Sequence, residues 1–162
     1  MKGSFTDTMA FWIYSAGGSG KAPVAPGTAG SAVAALLLLL PGRVPGIPEW
    51  NSPAWALAVV LLFLAGVWAS ARAEAAFGKD PGVVVIDEVA GMFAALYLIP
   101  NTVLFVVGAF FLFRLFDIVK PFPVRAAENV RGSWGIMLDD VVAGIYANMA
   151  LRLLILAGGL LL

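Results

Sequence analysis

The stretch VIDEVAGM, residues 85–92, places two adjacent carboxylates, Asp87 and Glu88, in an otherwise apolar segment. Two further short motifs repeat this combination, RLFD at residues 114–117 and LDD at residues 138–140. Together the three motifs hold five of the ten acidic residues of the chain. A carboxylate within an apolar membrane segment is costly, so such residues are interpreted first as functional.

The composition is typical of an integral membrane protein. The chain has 162 residues, of which 61% are hydrophobic and only 12% are charged, whereas soluble domains have about 25% charged residues. The mean hydropathy is +0.94. The length fits a single domain over residues 1–162. The formal net charge is zero, so the charge gives no reason to expect a nucleic-acid partner.

The chain contains neither cysteine nor histidine. Thiolate and imidazole metal ligands are therefore excluded, as are cysteine and histidine nucleophiles. Any bound metal must use oxygen ligands, which favour Mg²⁺, Mn²⁺ or Ca²⁺.

The apolar segments predict an all-α, polytopic membrane protein with four or five transmembrane helices. Residues 5–15 are aromatic but too short to span, which predicts an N-terminal helix lying in the membrane interface. A Gly/Pro-rich loop follows at residues 17–30. The candidate spans are 28–40, 53–71, 83–99, 102–117 and 141–162, and the first of them either crosses or re-enters.

The basic residues predict the orientation. If the five spans alternate, eight of the ten basic residues fall on one side, which the positive-inside rule makes cytoplasmic. These residues are Lys2, Lys21, Arg72, Lys79, Arg114, Lys120, Arg125 and Arg131. The same arrangement gathers the three acidic motifs at the cytoplasmic end. We therefore expect one shared site that faces the cytoplasm.

The acidic pairs Asp87-Glu88 and Asp139-Asp140 are predicted to lie in the first turns of two helices of similar design. A glycine, Gly91 or Gly144, follows each pair within a few residues. Adjacent residues point about 100° apart on a helix, so one carboxylate of each pair can face a common site. The alternative interpretation is N-capping and compensation of the helix dipole, for which one acid would suffice.

Arg114, Asp117 and Lys120 follow one another at intervals of three residues. An aspartate there can bind a metal while the arginine and lysine hold a phosphate, although an Arg–Asp ion pair at the membrane edge is the alternative. The Gly-rich loop with Lys21 and Thr28 leads into a helix and can offer backbone N–H groups to an anion. It lacks the Walker A spacing, and a plain connector is equally compatible with its sequence.

Four segments in this order and spacing resemble the phosphatidylglycerophosphatase A family. They are GSGKAPVAPGTAGS (18–31), VIDEVAGM (85–92), FRLFDIVKPFP (113–123) and GIMLDDVVAGIYA (135–147). The sequence departs from the family at Ser133-Trp134, where members more often keep a second glycine after Gly132. The resemblance implies Mg²⁺-dependent removal of the terminal phosphate from phosphatidylglycerophosphate, which gives phosphatidylglycerol, in the bacterial inner membrane.

With that resemblance, the expected catalytic residues are Asp87, Glu88, Asp139 and Asp140. The expected ligands of one or two Mg²⁺ ions are Asp87, Glu88, Asp117, Asp139 and Asp140. The expected phosphate-binding residues are Lys21, Thr28, Arg114 and Lys120. Either a metal-bound water or an aspartate would attack phosphorus. The partners expected besides the substrate are membrane lipids around the spans, and a homo-oligomer is possible.

Two other classes of membrane protein use similar carboxylates. A small cation transporter or channel subunit is the main alternative, but all five acids are predicted at one end, and only Asn148 and Arg152 are polar at mid-depth. A CDP-alcohol phosphotransferase also uses Mg²⁺, but its D-G-x-x-A-R signature is missing.

Overall fold

The computed structural model describes residues 4–40, 52–100 and 102–160, in which all regular structure is helical. The α-helices are α1 (Phe5–Tyr14), α2 (Pro26–Leu37), α3 (Pro53–Phe77), α4 (Ile86–Ala95), α5 (Val103–Val119), α6 (Val124–Glu128) and α7 (Ser133–Leu160). A single 3₁₀ turn, Ser19–Lys21, precedes α2. The predicted all-α class is confirmed. Lys2 and nearly all of the predicted connection at 41–52 lie outside the described residues.

The short helix α4 occupies the centre of the bundle. Helices α2, α3, α5 and α7 all pack against it. Seven of its ten residues are buried: Ile86, Val89, Ala90, Gly91, Met92, Ala94 and Ala95. A helix that is apolar on nearly every side can only be buried, and its polar residues, Asp87 and Glu88, lie in its first turn.

Helices α4 and α7 cross at a pair of glycines. A Cβ atom on Gly144 would overlap the carbonyl oxygen of Gly91. A Cβ atom on Gly91 would lie 2.7 Å from the carbonyl oxygen of Asp140 and would also overlap the ring of Phe113. The two backbones therefore approach more closely than any side chain at these positions would permit.

Two of the described helices, α3 and α7, are long and apolar enough to cross a membrane. The prediction of four or five spans is not confirmed. Helix α4 has 10 residues, a length of about 15 Å, or roughly half of an apolar bilayer core about 30 Å thick. Helix α2 has 12 residues and α5 has 17, which are also fewer than the roughly 20 of a typical span.

Helix α7 begins earlier than predicted. It starts at Ser133 rather than at residue 141, so Asp139-Asp140 lie about two turns inside it, and the prediction that they lie in the first turn is wrong. Gly132 has a positive φ of +67°, and a Cβ on Gly135 would overlap the carbonyl oxygen of Val130. These glycines shape a tight entry into the helix.

Helix α1 occupies the segment predicted to lie in the membrane interface. Its Asp7 forms a 3.2 Å ion pair with Arg72 of α3, and the Tyr14 carbonyl accepts a 2.8 Å hydrogen bond from the Val85 N–H. Large exposed apolar side chains remain on α1, namely Phe5, Met9 and Trp12. The helix is thus attached to α3 and to the start of α4, and its contact with lipid stays a prediction.

The glycine crossing generates a stability prediction. We expect Gly144→Ala to lower the free energy of unfolding by about 1–3 kcal/mol, because the added methyl group must push α4 and α7 apart. Gly158→Ala, on the same helix but with open space around it, serves as the matched control and should be neutral or slightly stabilising. Thermal unfolding in detergent, followed by tryptophan fluorescence, measures both. Equal unfolding temperatures would show that the crossing tolerates a side chain.

Candidate active site

A cavity of about 960 Å³ opens where the N-terminal ends of α2, α4 and α7 meet the C-terminal end of α5. The acidic and basic residues of the three sequence motifs line it together with Lys120, namely Asp87, Glu88, Arg114, Asp117, Lys120, Asp139 and Asp140. The structure therefore brings these motifs together in one cavity, while their chemical roles stay predictions.

Asp87, Glu88 and Asp140 form a compact group, which we call the carboxylate trio. One oxygen from each residue lies within 4.8 Å of the corresponding oxygens of the other two. Asp87 precedes Gly91 by four residues on α4, and Asp140 precedes Gly144 by four residues on α7. Each acid therefore lies about one turn from the glycine crossing, so the close approach of the two backbones sets the spacing of the trio.

Each member of the trio has one buried oxygen without a hydrogen-bond partner in the described part of the chain: Asp87 Oδ1, Glu88 Oε2 and Asp140 Oδ2. Buried polar atoms are nearly always paired, and three such oxygens at one place could together hold a cation. Carboxylates this close and this buried also repel one another strongly. Three hard oxygen donors fit Mg²⁺, Mn²⁺ or Ca²⁺.

Arg114 and Asp117 on α5 lie beside the trio. Arg114 Nη1 is 2.6 Å from Asp117 Oδ2 and 3.8 Å from Glu88 Oε1. Both side chains of the shorter pair are mostly buried, so solvent screens this pair less than an exposed one. Gly27 at the start of α2 lies directly against the same group, because a Cβ there would overlap Glu88 Oε1.

Lys120 ends α5 in a left-handed conformation with φ +46°, and its ammonium group joins two acids. Nζ lies 2.8 Å from Asp139 Oδ2 and 2.9 Å from Glu128 Oε1. Burial alone would lower the pKa of Lys120, but hydrogen bonds and charges from Asp139 and Glu128 outweigh burial and raise the pKa. Lys120 is therefore protonated at neutral pH.

The five acids of the motifs thus divide into two groups. Asp117 and Asp139 each pair with a cation, Arg114 and Lys120 respectively. Asp139 also accepts a 3.0 Å hydrogen bond from the backbone N–H of Asp140 through its second carboxylate oxygen. This geometry favours the trio as the metal ligands, whereas metal binding by Asp117 and Asp139 stays a prediction with less support.

The two phosphate-binding residues predicted in the Gly-rich loop do not line the cavity. Lys21 is exposed, and its Nζ lies 4.4 Å from the centre of the Phe11 ring, in a cation–π contact. Thr28 is exposed as well, although Pro26 and Gly27 beside it do line the cavity. The loop therefore contributes the start of α2 to the cavity and not the two side chains that the sequence suggested.

Further charged residues at the cavity were missed by the sequence interpretation. They are Glu74, Lys79, Asp80, Glu128 and Arg131. The sequence holds only a weak signal for them. These residues lie in the polar connections 72–82 and 118–140, on the same side as the acidic motifs, and they form no distinctive motif of their own.

The described residues form an all-helical fold in which a carboxylate trio lies beside an arginine and a lysine, an arrangement that phosphoryl-transfer enzymes use. The chain matches the family described as phosphatidylglycerophosphatase A over residues 12–155, and it belongs to that family. The protein is therefore a phosphatase by family.

Curated relatives carry two kinds of name. A Bacteroides thetaiotaomicron protein named "Putative phosphatidylinositol-3-phosphatase" is 44% identical over 140 residues, covering 80% of this chain and 83% of the relative. Proteins named "Phosphatidylglycerophosphatase A" from Haemophilus influenzae and Escherichia coli are 38% and 37% identical, covering 80% and 79% of this chain and 78% and 73% of the relatives. No solved structure gives a significant match.

The unpaired trio predicts a trade-off between activity and stability. We expect Asp140→Asn to lower phosphatase activity by about 100-fold or more, because one metal ligand is lost. In EDTA the same variant should unfold at a temperature equal to or above that of the wild type, because repulsion within the trio is relieved. Asp80→Asn, at the cavity mouth, is the control. Wild-type activity in Asp140→Asn would show that Asp140 is not part of the active site.

Replacement of Lys120 and replacement of Lys21 should have very different effects on phosphatase activity. We expect Lys120→Gln to lower phosphate release by about tenfold or more, because it removes the cation beside Asp139. Lys21→Gln should stay within about twofold of the wild type, since it loses only an exposed cation–π contact. Phosphate release by the purified variants measures both effects. An equal loss of activity in the two variants would show that Lys21 contributes to the reaction as much as Lys120 does.

Proposed function

We propose that the protein is a Mg²⁺-dependent lipid phosphatase that hydrolyses phosphatidylglycerophosphate to phosphatidylglycerol and inorganic phosphate. The single observation that carries this proposal is the carboxylate trio with its three unpaired buried oxygens beside Arg114 and Lys120. Membership of the phosphatidylglycerophosphatase A family supports the same reaction.

The trio would hold the metal. Asp87 and Glu88 come from one helix and Asp140 from another, so a cation there would also join α4 to α7. When bound, Mg²⁺ would neutralise negative charge on the phosphoryl oxygens, which is its usual contribution to phosphoryl transfer. Phosphate monoesters carry up to two negative charges, and the carboxylates alone would repel them.

Arg114 and Lys120 would bind the phosphoryl group. An arginine can donate two parallel hydrogen bonds to phosphate oxygens, and a lysine supplies a compact charge. Their present partners, Asp117 and Asp139, lie at 2.6 Å and 2.8 Å and hold both cations at the cavity wall. In hydrolysis a water oxygen bonds to phosphorus, the bond from phosphorus to the glycerol oxygen breaks, and that oxygen takes a proton from the water.

The outer surface fits a lipid substrate. Large apolar side chains are exposed along α3 and α5, among them Leu57, Leu61, Leu104, Phe111 and Ile118. We infer that these surfaces contact the acyl chains of a bacterial inner membrane, with the cavity facing the cytoplasm. The two acyl chains of the substrate would then stay in the bilayer while the headgroup reaches the cavity.

A second substrate is favoured by one specific observation, the name of the Bacteroides relative. Phosphatidylglycerophosphate and phosphatidylinositol 3-phosphate share the same reactive chemistry, a phosphate monoester on a polyol headgroup. They differ in whether the leaving alcohol is primary or secondary and in the bulk of the headgroup. Cation transport has less support, because the acids gather in one cavity at one end of α4 rather than along a path.

Phosphate release from the two lipids tests the proposal directly. The purified protein in mixed micelles should release phosphate from phosphatidylglycerophosphate with Mg²⁺, and EDTA should abolish the release because the trio loses its cation. Phosphatidylinositol 3-phosphate under the same conditions is the comparison. Faster release from the inositol lipid would reassign the substrate. No release from either lipid by folded protein would overturn the phosphatase proposal and make cation flux in liposomes the next assay.

A further inference from the structure

The last residue of α4 and the turn that follows it, at Tyr97 and Leu98, are held by two polar side chains of α7, which we call the α4 clamp. Asn148 Nδ2 donates hydrogen bonds to the carbonyl oxygens of Ala95 at 2.9 Å and Tyr97 at 2.8 Å. Arg152 Nη2 donates to the carbonyl oxygens of Tyr97 at 2.9 Å and Leu98 at 3.3 Å. Arg152 Nε donates to Asn148 Oδ1 at 2.8 Å, which joins the two side chains.

The clamp meets a physical need that a short helix creates. The last carbonyl groups of any α-helix have no partner within the helix. Helix α4 ends at Ala95, and α5 then runs from Val103 back to the cavity at Lys120, so this end lies at the opposite end of the bundle from the cavity. Among apolar side chains or lipid, unpaired carbonyls are costly, and α7 supplies the donors.

The clamp also has a regular position relative to the carboxylate trio. On both helices an acid is followed by a glycine four residues later and by one partner of the Asn148–Ala95 hydrogen bond four residues after that. The residues are Asp87, Gly91 and Ala95 on α4, and Asp140, Gly144 and Asn148 on α7. The two helices are thus joined at the glycine crossing and again about 6 Å further along.

These two contacts constrain different movements. The glycine contact allows close approach, but without side chains it presents little to stop one helix from sliding along the other. The hydrogen bonds of the clamp are directional and short, so they fix the axial register. A slide of one residue would shift Asp140 by about 1.5 Å relative to Asp87, which is more than the roughly 0.2 Å tolerance of a metal–ligand distance.

We propose that Asn148 and Arg152 are positioning residues that set the metal affinity of the carboxylate trio from the far end of α4. This inference rests on the proposed metal site. The clamp touches neither substrate nor metal, and it acts by holding Asp87 and Asp140 in register. Removing it should therefore weaken metal binding in protein that is still folded.

Mn²⁺ binding to the purified protein, measured by electron paramagnetic resonance, tests the proposal without relying on turnover. We expect Arg152→Ala and Asn148→Ala to raise the Kd for Mn²⁺ by about tenfold or more, the usual effect of removing a group that orients metal ligands. Arg152→Lys should give an intermediate Kd, because lysine supplies fewer donors in a less fixed geometry. Met149→Ala, an exposed neighbour on α7, should bind as the wild type does.

A titration of phosphatase activity with Mg²⁺ adds a second measurement. The clamp variants should need more Mg²⁺ for half-maximal activity, and their kcat at saturating Mg²⁺ should approach that of the wild type, because the catalytic groups are intact. A stability role alone would lower the unfolding temperature and leave both the Kd and the Mg²⁺ requirement unchanged.

Each outcome is decisive. A higher Kd in folded clamp variants, with Met149→Ala unchanged, supports the proposal. A Kd within about twofold of the wild type in folded Arg152→Ala would overturn it, whatever happens to stability. If the alanine variants do not fold, Arg152→Lys and Asn148→Ser are judged by the same criterion. Absence of Mn²⁺ binding by the wild type would overturn the proposed metal site together with this inference, a result distinct from failure of the clamp variants alone.

Discussion

The contact between Gly91 and Gly144 is the constraint on which the rest of the structure depends. Here the backbones of α4 and α7 meet without an intervening side chain, because a Cβ on Gly144 would overlap the carbonyl oxygen of Gly91. Because the acids lie one turn away on each helix, this approach is what places Asp87 and Asp140 within ligand distance of one another. An ordinary helix crossing, with axes about 8–10 Å apart, would leave more space between the acids.

The charges in the cavity follow a simple division. Arg114 and Lys120 neutralise the charges of Asp117 and Asp139 at distances of 2.6 Å and 2.8 Å. The trio is not neutralised by comparable pairs, and its repulsion opposes folding. Charged groups that destabilise the fold and lie together at the wall of one cavity are typical of a functional site, where the chemistry requires groups that stability alone would not favour. The same division explains how one cavity can attract both a cation and a phosphate.

Much of the site could be predicted from the sequence because charged residues are so rare in this chain. Asp87, Glu88, Arg114 and the other motif residues stand out against an apolar background, and the alternation of the predicted spans places them at one end. Contacts that depend on three-dimensional packing were not predictable. The sequence could not show that the Phe11 ring attracts Lys21, or that α7 extends back to Ser133, eight residues before the apolar segment 141–162. Helix length was also hidden, since the apolar segment 83–99 contains a helix of only ten residues.

The short length of α4 explains how a polar site can exist inside an apolar bundle. Gly66 of α3 lies against Ile86, the first residue of α4, and precedes Arg72 by six residues, so α4 begins about 9 Å inside the polar end of α3. A helix that begins there presents N–H groups that have no partner within the helix, and the positive end of its dipole, at the level of the trio, where negative charge is concentrated. At the other end of α4, Asn148 donates to the carbonyl of Ala95, the last residue of the helix, and Arg152 donates to the carbonyl of Tyr97 in the turn that follows. The acids of the cavity and the polar residues deep in α7 therefore have one cause, a central helix that is too short to span the bundle.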